Sequence, residues 1–365
     1  MEFYIRNLLH ALFKIDRSNQ YVLFTNQDNH GTFDDGQPNV QRVLCGISAR
    51  PQWKRIAWEQ LFLPSFAKKY RLDLLHSPTY TWPVSSEIPG VVSILDMLYR
   101  VHPESISRTK VTFWKVFVPW SARRCRKIIT ISESSKQDIV RYLGVTPEKV
   151  VVTPLAVDRA LNAGIQPSGG DIDSVCTKYT IRRPYLLYVG GVGRHKNPLA
   201  LVKALAILRE RSNTKDLSLV ITGNDYCSAG EIMSCASSSG LEKTVCLPGY
   251  VAREEMPSLY AGAFAYVTPS LFEGFGLTVL EAMIFRTPVV ISDRASLSEV
   301  AGDAALIVGP ERPDMIADAV SRIASDPGLR QRLIDCGLRR VEEFSWERTA
   351  KLTLEAYREA ADGRG

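Results

Sequence analysis

Pro269-Ser270-Leu271-Phe272-Glu273-Gly274-Phe275-Gly276-Leu277-Thr278-Val279-Leu280-Glu281-Ala282-Met283 decides how this chain of 365 residues is read. An apolar run over 263–268 ends at Thr268, Gly274 and Gly276 supply a turn, and a segment of helical period begins near Leu277. The N–H groups at such a helix start have no partner within the helix, and with the helix dipole they form a site for an anion. Glu273 stands before the turn and Glu281 on the second turn of the helix. Stations so different do not suit one acid/base pair, and each suits accepting hydrogen bonds from hydroxyl groups. The plainer alternative is a helix start with a solvated Glu273 and a surface-exposed Glu281.

Outward from this stretch, short apolar runs bounded by Gly and Pro alternate with amphipathic segments, the pattern of an open, doubly wound parallel α/β sheet. Strands are expected at 185–189, 217–222, 244–247, 263–268, 288–292 and 305–308, with helices over 197–211, 229–239, 253–261, 277–285, 296–301, 313–325 and 327–342. The first half repeats the rhythm, with strands at 21–25, 72–76, 90–95, 127–131 and 150–153 and helices at 3–14, 53–69, 107–125 and 133–143. Gly164, Pro167, Gly169 and Gly170 break it, so 158–183 reads as a linker between domains 1–157 and 184–345, and 346–365 as a last helix. That helix opens on Phe344-Ser345-Trp346, with Ser345 as its N-cap and Trp346 as an anchor. Two such domains leave a cleft between the carboxyl ends of both sheets, where open α/β sheets bind ligands.

A second Gly-rich loop lies at Tyr188-Val189-Gly190-Gly191-Val192-Gly193-Arg194-His195-Lys196-Asn197. Its glycines permit close backbone approach, and Lys196, with Arg194 beside it, supplies positive charge for a diphosphate. It is neither a P-loop nor a dinucleotide fingerprint, since the lysine spacing of the first and the third glycine of the second are both missing. At Leu247-Pro248-Gly249-Tyr250-Val251 a strand ends in a turn; either the backbone at Tyr250 and Val251 reads a nucleotide base, or the turn is only a turn.

Glu273 and Glu281 eight positions apart around Gly-Phe-Gly, followed by Glu-Ala-Met, resemble the E-x7-E motif of the family 4 (group 1) retaining glycosyltransferases. The likeness continues through Pro288-Val289-Val290, Ser292 and Ser296-Leu297-Ser298-Glu299-Val300-Ala301-Gly302-Asp303-Ala304-Ala305. The resemblance implies a GT-B fold, two Rossmann-like domains facing a central cleft. It implies donor-sugar contact at Glu273, ribose contact at Glu281, and sugar and phosphate contact along Gly274, Phe275, Gly276 and Leu277, with Gly190, Gly191, Arg194 and Lys196 on the diphosphate. The implied reaction is hexosyl transfer with retention of configuration, in which the leaving phosphate helps deprotonate the acceptor. Mannose from GDP-mannose is the preferred donor and a glycan or lipid-linked acceptor in surface polysaccharide synthesis the preferred target. A catalytically inactive nucleotide-sugar-binding subunit is the alternative, and an epimerase of the same fold fits the motif less well. A two-carboxylate hydrolase would need an acid and a nucleophile flanking the bond, and no such pair is seen.

The first half departs from that family. Met1-Glu2-Phe3-Tyr4-Ile5-Arg6-Asn7-Leu8-Leu9 looks like the family's first helix without the strand and Gly-Gly loop that normally precede it, so Met1 is expected to be internal to a longer reading frame or to mark a natural truncation. Within Val91-Val92-Ser93-Ile94-Leu95-Asp96-Met97, Leu95 stands where the family commonly has His near the reacting sugar; Asp96 either faces the cleft as a third catalytic candidate or caps the strand end. His10, His76 and His102 read as structural, and Arg286, where the family prefers Gly, follows a helix end that tolerates a cation.

Composition bounds the rest. A hydrophobic share of 45% with 23% charged residues is globular. Seven scattered cysteines form no C-x-x-C pair, so neither a zinc site nor a disulfide framework is expected, and no cofactor or metal is required. Asp171-Ile172-Asp173 matches a metal-binding D-x-D only by coincidence, since it lies in the linker. No apolar run reaches the length of a bilayer span and Met1 opens into an amphipathic pattern, which predicts a cytoplasmic protein. The net charge of +6 concentrates at 105–132, with seven Lys or Arg and no acid. That segment interleaves Phe113, Trp114, Phe117 and Trp120 with basic residues. It is either a core-packing helix with a wet basic end or a peripheral contact with an anionic membrane at its inner face, and nucleic acid is not an expected partner.

Overall fold

The computed structural model describes residues 1–33, 36–83, 85–158, 161, 166–191, 193–223 and 229–363; Gly164, Val192 and Cys227 lie outside them. The chain forms two compact units, Met1–Leu155 with Ser345–Gly365, and Ala156–Phe344.

In the first unit the order is α1 (Glu2–Ile15), β1 (Tyr21–Thr25), β2 (Val40–Leu44), α2 (Gln52–Leu61), α3 (Leu63–Lys69), β3 (Leu75–Ser77), β4 (Gly90–Ser93), α4 (Leu98–Val101), α5 (Arg108–Arg124), β5 (Lys127–Thr130), α6 (Glu133–Leu143) and β6 (Val150–Val152). β3-β4-β5-β6 make one parallel sheet, and β1 and β2 pair in parallel as a separate ribbon. β4 and β5 are buried along their whole length, which is why they read as unbroken apolar runs and not as an alternation. Ser132 caps α6 by accepting from the Ser135 N–H, and Gly144 closes it at φ 65°. The helix expected over 53–69 is two helices, because Pro64 at the start of α3 has no N–H to continue α2. β2 and α4 were not expected; β2 has a half-wet pattern of five residues with little apolar signal.

The second unit holds α7 (Gly169–Lys178), β7 (Tyr185–Val189), α8 (Pro198–Arg209), β8 (Ser218–Thr222), α9 (Ala229–Ser238), β9 (Val245–Gly249), α10 (Met256–Ala261), β10 (Ala265–Thr268), α11 (Leu277–Ile284), β11 (Val289–Ser292), α12 (Leu297–Ala301), β12 (Ala305–Val308), α13 (Pro313–Ser325) and α14 (Pro327–Glu342). Its six parallel strands lie in the order β12-β11-β10-β7-β8-β9. α8 presses Leu201, Leu205 and Leu208 fully into the core, each contributing about 1.5–3 kcal/mol.

Residues 169–178, expected within a linker, are instead helical: Ser168 and Asp171 form a capping box that starts α7 despite its two glycines. Both carboxylates of the D-x-D are thereby committed, Asp171 to Ser168 and Asp173 to Arg183. Among the described residues no cluster of His, Cys, Asp and Glu is arranged to hold a metal ion.

The last helix, α15 (Trp346–Ala361), belongs to the first unit. Ser345 accepts from the Arg348 N–H as its N-cap, Trp346 packs edge-on against Phe3 of α1, and Ala356 and Ala360 sit against Val91 and Ile129 of the sheet. No described helix is long and apolar enough to cross a membrane.

Candidate active site

The order of the second sheet fixes where a ligand belongs. From β7 the chain proceeds outward through β8 and β9, then crosses back so that β10 lies on the other side of β7, followed by β11 and β12. The order reverses between β7 and β10, and outside the carboxyl ends of two such strands lies the crevice of a doubly wound sheet. The two Gly-bearing loops of the sequence leave these two ends.

After β7, Gly190 turns at φ 148° and the Tyr188 hydroxyl reaches round it to donate to the Gly191 carbonyl at 2.9 Å. Burial first, then the nearby Glu273 carboxylate, push the Tyr188 phenol well above its ordinary pKa, so it remains a donor. Gly223, at the end of β8, has no room for a side chain: a Cβ there would lie 1.9 Å from the Gly190 carbonyl oxygen. The loop then makes one 3-10 turn, Arg194–Lys196, and Asn197 at φ 53° passes the chain into α8, whose Pro198 suits its first position.

After β10, the second loop is tied to the first by the Leu271 N–H, which donates to the His195 carbonyl at 2.7 Å. Hydroxyls buried at the strand ends hold its shape. Ser292 donates to the Ser270 carbonyl at 2.5 Å and Ser296 to the Glu273 carbonyl at 2.8 Å. The outcome is a direct contact between loops 77 positions apart: Lys196 Nζ lies 2.6 Å from Glu273 Oε1, which also accepts from Ser270 Oγ at 2.9 Å. The two side chains are 21% and 15% exposed, enough to meet a ligand and too little to be fully solvated. Gly274 and Phe275 complete the turn, Phe275 buried, and Gly276 at φ 96° precedes Leu277, the first residue of α11. A Cβ at Gly276 would stand 2.6 Å from Leu297 Cδ2.

Glu281 is not a surface residue. Its Oε2 accepts from the Tyr260 hydroxyl at 2.7 Å, and burial raises its carboxyl pKa against the lowering pull of Tyr260 and Arg253. Tyr260 is itself fixed by stacking on Phe285 at 6.0 Å between centroids. Arg286, next in the chain, takes φ 59°, a left-handed position that explains why glycine is at home there.

Arg194 is exposed beside Lys196. At the end of β9 the Gly249 carbonyl accepts from Thr222 Oγ1 and from the Gly223 N–H; beyond it Tyr250 is 62% exposed and Val251 buried. Asp96 belongs to the first unit, where Oδ1 accepts from the Leu98 N–H at 3.0 Å, just before α4. Leu95 beside it is buried.

The family described as Glycosyl transferases group 1 matches residues 178–340, and that described as Glycosyltransferase Family 4 matches 1–161. The chain belongs to the family 4, group 1 glycosyltransferases, with the GT-B fold. It is 29% identical to the O-antigen chain mannosyltransferase B of Escherichia coli over 80% of this chain and 75% of that one. To the MMP alpha-(1->4)-mannosyltransferase of Mycolicibacterium hassiacum it is 32% identical, over 68% of this chain and 58% of that one. In fold it resembles Anabaena Alr3699/HepE, solved in complex with UDP and glucose, with a TM-score of 0.72 at 18% identity over 96% and 94% of the two chains.

Sequence reasoning assigned no role to Ser270, Tyr260 or Ser296 of this glycosyltransferase. Only Ser296 carried a signal, as part of the run that resembles the family.

Proposed function

We propose that this glycosyltransferase moves a hexose, mannose in preference, from a nucleoside-diphosphate donor to a glycan or lipid-linked acceptor of a surface polysaccharide, with retention of configuration. One observation carries the proposal: a lysine and a glutamate, brought by two different loops to the switch point of the second sheet, form a mostly buried ion pair there. Breaking a sugar–phosphate bond builds negative charge on the departing diphosphate and positive charge on the anomeric carbon, and fixed groups of opposite sign stabilise both. Lys196, with Arg194, the Gly190 and Gly191 backbone and the start of α11 at Gly274 to Leu277, serves the phosphates. Glu273, freed from Lys196 as the phosphate takes the lysine over, accepts from a sugar hydroxyl. Glu281, held by Tyr260, serves the ribose; the backbone at Tyr250 and Val251 serves the base; Asp96 serves the acceptor side. GDP-mannose is the preferred donor because the two curated relatives above are named as mannosyltransferases.

The test is incubation of the purified protein with GDP-mannose, UDP-glucose and other nucleotide sugars, followed by thermal unfolding and by NMR of any product's anomeric centre. A donor that raises the melting temperature and yields an α-linked product from an α-linked donor supports the reading; no stabilisation by any of them overturns it. The second reading, an inactive donor-binding subunit, rests on Leu95, and stabilisation without transfer or donor hydrolysis would select it.

The membrane contact is proposed on α5. Val111, Val118, Ser121 and Ala122 face the core, while Val116 and Trp120 stay exposed among Arg108, Lys110, Lys115, Arg123 and Arg124. Flotation with vesicles containing anionic lipid, and none with neutral vesicles, is the expected outcome.

A further inference from the structure

In the second unit the turn at 273–276 is gripped from α14 as well as from its own strand. Gly274 and Gly276 carry no side chain, so between Glu273 and Leu277 the turn is anchored by Phe275, which is buried. Its ring meets that of Phe344 edge to face, at 5.7 Å between centroids and 84° between planes. Over the face of the Phe344 ring, 4.9 Å from its centroid, lies the guanidinium of Arg340. The same guanidinium donates from Nε to the Val300 carbonyl at 2.9 Å and from Nη2 to the Glu299 carbonyl at 2.6 Å, while Nη1 pairs with Glu343. Glu299 and Val300 belong to the last turn of α12, where carbonyls have no partner further along the helix. The other end of α12 bears on the turn directly: Ser296 Oγ donates to the Glu273 carbonyl, and Leu297 Cδ2 fills the space beside Gly276.

Arg340 thus reaches 273–276 along two routes, one through Phe344 and Phe275 and one along the length of α12. Its own helix is firmly seated. One turn before Arg340, a Cβ at Gly337 would stand 3.0 Å from Met283 Cγ of α11, so α14 lies close against the helix that the turn begins. An apolar side chain would fill the space beside Phe344 without the cost of desolvating a cation whose side chain is only 20% exposed. What the guanidinium alone supplies is direction, since its planar fork donates along several fixed lines at once and an ammonium does not. We infer that Arg340 is a positioning residue of the sugar-nucleotide site: through Phe344 and α12 it sets where the Glu273 carboxylate and the backbone N–H groups of 274–277 stand. A misplacement of about 1 Å in such groups costs on the order of 100-fold in rate, so a residue that fixes the turn governs turnover without itself meeting the substrate. This role rests on the reading of the turn as part of the donor site.

The experiment compares the whole chain with its Arg340→Met, Arg340→Lys and Phe344→Leu variants, and with Arg332→Ala as a control at an exposed position of the same helix. Amide hydrogen exchange at 274–279 is read without ligand. Release of nucleoside diphosphate from GDP-mannose and UDP-glucose is then measured below every variant's melting transition and resolved into kcat and KM. Arg340→Met and Phe344→Leu should speed exchange at 274–279 about tenfold, while β10 stays protected. They should lower kcat by about 10–100-fold and leave the KM for the donor within about threefold. Arg340→Lys keeps the charge and loses the fork, so it should follow Arg340→Met, and Arg332→Ala should match the unsubstituted chain. A variant that melts at a lower temperature yet keeps its exchange at 274–279 and its kcat shows a residue that only packs, and overturns the inference. An Arg340→Lys protein indistinguishable from the unsubstituted chain overturns it as well. Failure of the unsubstituted chain to bind or consume any sugar nucleotide is a different result: it sinks the donor-site reading, and the positioning role with it.

Discussion

Replacing Glu273 by Gln separates the two tasks assigned to the loop pair. In the free protein Lys196 is already engaged: its ammonium lies 2.6 Å from Glu273 Oε1, with 21% of the lysine and 15% of the glutamate side chain exposed. A phosphate must therefore compete with a carboxylate for the lysine. A charge-assisted hydrogen bond of this kind is worth about 1.5–3 kcal/mol, and partial exposure reduces the part that depends on charge to about 1–2 kcal/mol. Glu273→Gln keeps the shape and an oxygen for Ser270 and Lys196 but removes the competing charge. A nucleoside diphosphate without sugar should then bind about 5–30-fold more tightly. The complete donor regains nothing from this, because it loses the carboxylate that accepts its sugar hydroxyl, at a cost of about 1.5–3 kcal/mol. Transfer should fall by roughly 100–1000-fold, since the proposal sets the lost group against the reacting sugar. Lys196→Ala removes the phosphate partner instead and should weaken diphosphate and complete donor alike. Calorimetric titration of each variant with GDP, UDP and the corresponding sugar nucleotides measures both quantities. Tighter binding of the diphosphate together with weaker or unchanged binding of the donor is the expected pair of results. If Glu273→Gln weakens GDP and UDP as much as it weakens the donors, the competition for Lys196 is not real and the division of labour fails.

Gly276→Ala forces a side chain into φ 96° and against Leu297, so it should cost about 1–3 kcal/mol and lower the melting temperature; an unchanged melting curve would show that the turn is not held as described. Tyr260→Phe leaves Glu281 in its buried position without a donor and should cost about 1–2 kcal/mol in urea unfolding. Because burial holds the folded Glu281 carboxyl above its ordinary value, its contribution falls as pH rises above about 4.5, and the Tyr260→Phe deficit should be larger at pH 8 than at pH 5. His76, bonded to Tyr357 and Ser93, is held neutral by burial with its pKa lowered to about 4. The unfolded chain then binds the extra proton first, so stability is full above about pH 6.5 and declines toward pH 4 by on the order of 2–3 kcal/mol, a slope that His76→Asn should remove.

The second unit was legible because its physics is local. Strands buried on both faces, such as Val289–Ser292, are continuous apolar runs, and α8 and α14 open on Pro198 and on Asp326-Pro327, start signals the sequence displays. α7 was missed for a local reason too. Gly169 and Gly170 read as loop, yet Ser168 and Asp171 outweigh them by satisfying each other's backbone donors, an effect of one or two hydrogen bonds that composition does not display. β2 left no trace because a half-exposed two-stranded ribbon needs few apolar residues, and its partner, not its composition, defines it. The site shows the same division. Glu273, Lys196 and Glu281 could be named as chemistry-bearing residues beside turns, but nothing in the spacing said that Lys196 and Glu273 touch. That contact depends on strand order: only when β10 returns beside β7 do loops 77 residues apart share one crevice. Tyr260 was invisible for the same reason, since it reaches Glu281 from a helix that precedes β10 and carries no motif.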